Sequence, residues 1–196
     1  MANRPLTKKE KDAWDWAKSL HSGQIRKFTN KPYFEAHVKR VNGIVKQYTT
    51  DEDLLISAIL HDVPEDCFED YEVGLHEIEE KFGKKISNIV RELTSVKDEI
   101  EHFYFGSKSD YLVDKMLNIS DDALTIKLAD RLQNISDAFT ASERFRNKYF
   151  YETVKIMRNI RSHRRFNKVQ EILANQIEHK LMNIDTIFKI KRFDEI

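Results

Sequence analysis

Apolar residues return every three or four positions along most of this chain, the spacing of helices with one face turned inward. Thr7-Lys-Lys-Glu10 has capping-box spacing, and Ala13, Trp14, Ala17 and Leu20 continue in helical register toward Gly23. Phe34, Val38, Val41, Val45 and Tyr48 form a second stripe. A third helix opens near Thr50-Asp51, buries Leu54, Leu55, Ala58 and Ile59, and runs into His61-Asp62. Pro64 lacks an N–H and clashes with the carbonyl four residues back, which predicts a stop, a kink or a new short turn around Val63. Leu75, Ile78 and Phe82 mark a helix ended by Gly83, and Ile86, Ile89, Val90 and Leu93 mark the next. Ser95 to Ser109 lacks clean periodicity and reads as a mobile loop, with Ser109 capping a helix through Tyr111, Leu112 and Met116. Ser120-Asp-Asp opens a helix with Leu124, Leu128, Leu132 and Ile135 on one stripe. Two helices follow, one over roughly Glu143 to Arg161 and one carrying Phe166, Val169, Leu173, Ile177, Leu181 and Ile184.

Composition points the same way. Five glycines and three prolines are too few for the tight turns of an all-β fold, so the expectation is all-α. The 196 residues show no repeat, low-complexity tract or linker, which predicts one helical domain over 1–196 with a C-terminal helical extension. Lys+Arg and Asp+Glu balance at 33 each, so no net charge draws nucleic acid or an acidic membrane, while a local basic pocket is still allowed. No run approaches ~18 apolar residues, and MANRPLTKKEKD has no apolar signal core. Cys67 has no second cysteine to pair with. The expectation is a cytoplasmic protein without a membrane or nucleic-acid partner, whose last amphipathic helix offers a surface for a homo-oligomer.

A His-Asp dipeptide at a helix end is by itself weak evidence, since ordinary capping uses the same residues. The neighbourhood of His61-Asp62 changes this. Glu65 lies four residues after His61 and Asp66 four after Asp62, so an apolar run delivers four ionisable groups to the edge of the core. Unpaired charge there is costly, and a divalent cation offsets it, with neutral imidazole and carboxylate as natural ligands. Further ligands must come from elsewhere. Lys127-Leu-Ala-Asp-Arg-Leu-Gln-Asn134 carries Lys127, Asp130 and Asn134 on one face with Arg131 beside them, either a solvated stripe or a functional face. The other histidines, His21, His37, His76, His102, His163 and His179, are singly unremarkable, and spacing does not choose among them.

His37, His61-Asp62 and Asp130 match the order H…HD…D of the HD hydrolase superfamily. His21-Ser-Gly-Gln-Ile-Arg-Lys27, Lys31-Pro-Tyr33, Leu60-His-Asp-Val-Pro-Glu-Asp66, Phe82-Gly83, Leu93-Thr94 with Lys97, and Lys127 to Asn134 resemble the hydrolase domain of the RelA/SpoT family. The motifs run from about residue 17 to 155, and the length resembles the stand-alone small alarmone hydrolases, including metazoan SpoT homologues. The resemblance implies a single HD-domain helical bundle. It also implies removal of the 3′-pyrophosphate from guanosine tetra- and pentaphosphate. His37, His61, Asp62 and Asp130 would hold one Mn²⁺ ion, and Glu65 and Asp66 would position or deprotonate the attacking water. Arg26, Lys27, Lys97, Asn134 and Tyr149 would contact the nucleotide, Arg26 on the base and Lys97 on a phosphate. Two residues depart from the family pattern. Val38 stands where a proline is usual, and Pro64 stands where an aliphatic residue is usual, so the acidic pair is open to re-aiming.

No covalent intermediate is needed. Cys67 stands among Glu65, Asp66, Glu69 and Asp70, which disfavour its thiolate. Two other readings use the same residues: a phosphohydrolase of another nucleotide, such as an NADPH 2′-phosphatase, and a non-catalytic nucleotide sensor.

Overall fold

The computed structural model describes residues 4–27 and 29–188, with side chains through 182. Its regular structure is helical throughout: α1 Lys8–Leu20, a wide π-type turn Phe34–Val38 running into α2 Lys39–Val45, α3 Glu52–Leu60, α4 Val63–Cys67, α5 Tyr71–Phe82, α6 Lys84–Leu93, α7 Lys97–Phe103, α8 Lys108–Asn118, α9 Asp121–Ala138, α10 Glu143–His163 and α11 Lys168–Phe188. One antiparallel bridge, Ile25 to Pro32, closes the loop between α1 and the π turn. The all-α expectation holds.

Local chemistry accounts for many boundaries. The Thr7 side chain accepts from Glu10 N, and Glu10 Oε2 accepts from Thr7 N at 2.8 Å, a reciprocal cap. Glu10 is buried and bonded to Arg4 at 2.7 Å, so its charge is met. Asp51 caps α3 through Leu54 N. Gly83 takes φ 90°, a conformation side chains resist, and separates α5 from α6.

From Leu54 to Leu60 α3 is buried all round, and its one polar residue there, Ser57, donates its hydroxyl to Asp53 O. Leu54, Leu55 and Ala58 join a cluster built with α2 and α6–α11, while Ile56, Ile59 and Leu60 join another built with α1, the π turn, α4, α5 and α6. Full burial of each large aliphatic contributes about 1.5–3 kcal/mol relative to exposure. The helix is therefore clamped between two apolar clusters, and its C-terminal end is a rigid mount.

Pro64 acts as expected. α3 stops at Leu60, His61 and Asp62 form the turn, and the proline falls in the first turn of α4, where its missing N–H costs little. α5 packs closely on α4 at Gly74. A Cβ there would lie 2.9 Å from both Pro64 Cα and Phe68 Cδ2, so only glycine fits without movement.

Two expectations are corrected. Ser95 to Ser109 is not an irregular loop throughout, because α7 occupies Lys97–Phe103. Ile100 is its one buried residue, so no apolar stripe announces the helix, and Asp98 and Glu99 in its first turn support it instead. The cap of α8 is Ser107, whose side chain accepts from Asp110 N, and not Ser109. α11 packs on α9 through Leu173, Ala174 and Ile177, with Phe166 packed against the core ahead of the helix. The Ile184 side chain lies outside the described residues.

Candidate metal centre and substrate cavity

Four side chains from three places in the chain meet at one point. The end of α3 supplies His61 and Asp62, the π turn supplies His37, and α9 supplies Asp130. His37 Nε2 and His61 Nε2 stand 3.3 Å apart. Asp62 Oδ2 lies 3.1 Å from His37 Nε2 and 3.0 Å from His61 Nε2. Asp130 Oδ1 approaches the cluster at His37 Nε2, 3.4 Å away. His61 Nδ1 is 3.0 Å from the Ala58 carbonyl, so that nitrogen carries the proton and Nε2 offers a lone pair.

Two imidazole nitrogens and a carboxylate oxygen so close together need a positive charge among them. Among the described residues, His37, His61 and Asp62 place ligand atoms within 4.8 Å of one another, a donor set of nitrogen and oxygen suited to a divalent transition metal. The buried His37 Nδ1 has no hydrogen-bond partner, so the bonding of that ring is concentrated at Nε2. Burial alone would pull His37 down, but the Asp130 and Asp62 carboxylates outweigh it and push it up to about 9. Burial would raise Asp62 and Asp130. His61 and His37 hold Asp62 well below the usual range, and His37 and Lys127 hold Asp130 below it. The residues fit a bound cation.

The cluster opens into a cavity of about 440 Å³, large enough for a nucleotide. Glu65 and Asp66 line one wall, and Glu65 Oε2 accepts from Ser95 N at 3.0 Å. Asp66 faces the cavity, and its enclosure, with the Asp62 charge next in size, pushes it up to about 6. Burial, then the Asp66 charge, pushes the Cys67 thiol up to about 12, in keeping with its dismissal as a nucleophile.

Five cations also line the cavity: Arg26, Lys108, Lys127, Arg131 and Lys148. Lys127 Nζ lies 3.6 Å from Asp130 Oδ2, and Arg131 sits 5.1 Å over the Tyr149 ring. Asn134 accepts from Arg26 Nη2 and donates to Asp130 Oδ1 at 2.6 Å. Of the residues expected to touch a nucleotide, Arg26, Asn134 and Tyr149 therefore line the cavity. Lys27 and Lys97 are exposed and are not among its lining residues. Arg26 N pairs with Lys31 O at the neck of a turn closed by Asn30 N to Arg26 O, with the Arg26 side chain on the cavity and Lys27 exposed in the turn itself. Ser95 lines the cavity in place of Lys97.

Several wall residues had no role in the sequence reading. Tyr33 donates to Asp62 Oδ2 at 2.6 Å and stacks on His21. Its signal was its place between Pro32 and His37. Lys108, Ser109, Lys148 and Glu152 come from helices whose periodicity says nothing about which end meets the cavity.

A family profile described as HD domain matches residues 13–165. The guanosine-3′,5′-bis(diphosphate) 3′-pyrophosphohydrolase of Aquifex aeolicus is 31% identical over 146 residues, covering 74% of this chain and 20% of that protein, so the chain spans a fifth of that relative's length. The Drosophila melanogaster guanosine-3′,5′-bis(diphosphate) 3′-pyrophosphohydrolase MESH1 is 30% identical over 153 residues, covering 74% of this chain and 81% of that protein. A solved structure of a metazoan ortholog of SpoT, described as hydrolysing ppGpp and acting in starvation responses, superposes with a TM-score of 0.76 at 27% identity, covering 93% of this chain and 98% of that one. The chain therefore belongs to the HD domain family, among relatives that include a stand-alone animal protein and a much longer bacterial one.

Proposed function

We propose that this chain removes the 3′-pyrophosphate from guanosine tetra- and pentaphosphate, releasing pyrophosphate and leaving GDP or GTP. The observation that carries the proposal is one cavity where His37, His61 and Asp62 gather with Asp130 beside them, lined also by the acidic pair Glu65 and Asp66 and by five cations. The animal relative matched over most of its own length bears the name of this activity.

In this reading His37, His61, Asp62 and Asp130 hold one Mn²⁺ ion. When bound, that ion lowers the pKa of a water and offsets charge on phosphoryl oxygens. Glu65, anchored at the Ser95 N–H, takes the proton of the attacking water, and Asp66 beside it can return one to the leaving oxygen. The bond formed joins water oxygen to the inner phosphorus of the 3′-diphosphate. The bond broken joins that phosphorus to the ribose 3′-oxygen. Lys127, Arg131, Lys108 and Lys148 meet phosphate charge, while Arg26, Asn134 and Tyr149 hold the nucleoside side. Our reading has this work done in the cytoplasm, in keeping with a chain none of whose described helices is long and apolar enough to cross a membrane.

The test is release of pyrophosphate from guanosine tetraphosphate by Mn²⁺-loaded protein, with metal content measured on the same sample. Stoichiometric pyrophosphate and GDP are expected. An intact alarmone alongside hydrolysis of NADPH would overturn the substrate while leaving the site. Tight nucleotide binding without any turnover would overturn the enzyme.

A further inference from the structure

Asp137 takes no part in the chemistry above, yet it is a carboxylate only 4% exposed, in the last turn of α9. Burying such a charge is costly unless cations and donors meet it. Arg26 Nε donates to its Oδ2 at 3.0 Å, and Gln133 Nε2 donates to its Oδ1 at 3.0 Å. Arg40 Nη1 stands 3.8 Å from Oδ1. Asp137 lies three residues after Asn134 and seven after Asp130, so all three share one face of α9.

The partner that crosses the greatest distance in sequence is Arg26. Its backbone is tied within the α1–α2 loop by Arg26 N to Lys31 O at 2.8 Å and by the Ile25–Pro32 bridge. Its side chain then docks that loop on α9. While Nε is held by Asp137, Nη2 donates to Asn134 Oδ1, and the guanidinium lies 5.3 Å over the Tyr33 ring. The Asn134 amide meets two demands at once. Its oxygen faces the Arg26 donor, and its nitrogen donates to Asp130 Oδ1 at 2.6 Å. Turned over, the amide would set its oxygen against the Asp130 carboxylate and its N–H against the guanidinium.

We propose that Asp137 is a positioning residue: it holds Arg26 against the cavity and, through Arg26, fixes the Asn134 amide that steadies Asp130. The inference rests on the reading of Arg26 as a nucleoside-side group. Without Asp137 the guanidinium keeps only Asn134 and the Tyr33 ring, the loop loses its ion-paired tie to α9, and Arg26 meets the nucleotide less firmly fixed. His61 and Asp62 keep their mount at the end of α3.

The test uses the whole chain with Mn²⁺ and four loss variants, Asp137→Ala, Asp137→Asn, which keeps the shape if the alanine fails to fold, Arg26→Ala, and the Arg26→Ala/Asp137→Ala pair, with Asp137→Glu as the rescue. KM and kcat for guanosine tetraphosphate, GDP affinity, melting temperature and amide hydrogen exchange over residues 22–33 are measured. Each single variant should raise KM and weaken GDP about tenfold, the loss of one charge-assisted hydrogen bond, with a smaller change in kcat. Exchange over 22–33 should rise in each, the double variant should be no worse than Arg26→Ala, and Asp137→Glu should restore most of the loss. Additive losses in the double variant, or a lower melting temperature with KM, GDP affinity and exchange unchanged, would overturn the proposal. If the unaltered protein turns over no alarmone, the proposed function fails while GDP affinity and loop exchange still judge the clamp.

Discussion

The two ends of the cavity are built differently. The candidate ligand cluster is carried by rigid mounts: α3 is clamped between two apolar clusters, α9 is buried on most of its circumference, and His37 sits in a π turn whose Phe34, Ala36 and Val38 are buried. The cationic wall is gathered from the α1–α2 loop and from α8, α9 and α10, with Lys148 largely exposed. The ligand end needs fixed distances between atoms that repel one another. On the proposed function the cationic wall needs positive charge within reach of a flexible polyphosphate, which long side chains supply from several mounts. The first arrangement should break sharply under substitution and the second should weaken by degrees.

The sharpest break is expected at the ligands. His61→Ala and Asp130→Ala should each lose bound Mn²⁺ and about 1000-fold or more in kcat/KM, read by metal analysis and pyrophosphate release. Asp130 touches the cluster through His37, so Asp130→Ala with full metal occupancy would remove it from the ligand set. Next comes Glu65→Gln, which should keep the metal and lose about 100-fold in kcat. A wild-type rate there would move the proton-accepting role to Asp66.

Gly74→Ala tests the mount of the acidic pair. Its Cβ would press on Pro64 and Phe68, so α4 must shift; thermal unfolding should show about 1–3 kcal/mol of lost stability. Because α4 carries Glu65 and Asp66, kcat should fall with metal retained. Unchanged kcat would mean that the acidic pair tolerates movement as the cationic wall does.

The smallest effects belong to single lysines. Lys127→Met should raise KM about tenfold, whereas Lys97→Ala should leave KM within about twofold, measured side by side. Equal effects would extend the wall beyond the cavity.

Much of this was legible before any fold was seen. The capping box at Thr7–Glu10, the apolar run of α3, its arrest by Pro64 and the polar face of α9 each follow from local rules that act over one or two helical turns. The illegible parts share a cause. α7 hides because one buried isoleucine makes no stripe, and the choice of Ser107 over Ser109 as cap depends on which N–H ends up unpaired. Lys27 and Lys97 carry the right charge, but charge does not say which way a side chain turns.

By itself, the sequence determined an all-α chain and pointed to a candidate cation site centred on His61-Asp62, because periodicity and residue type are local properties. Family resemblance added His37 and Asp130 as expected partners. Only the tertiary structure decided that Asp130 reaches the cluster beside His37, that Tyr33 bonds Asp62, and that Arg26 docks on Asp137 from 111 positions away. Those contacts depend on how α3 and α9 pack against the rest of the chain. The packing is set by the summed burial of the two apolar clusters, which no short stretch of sequence contains.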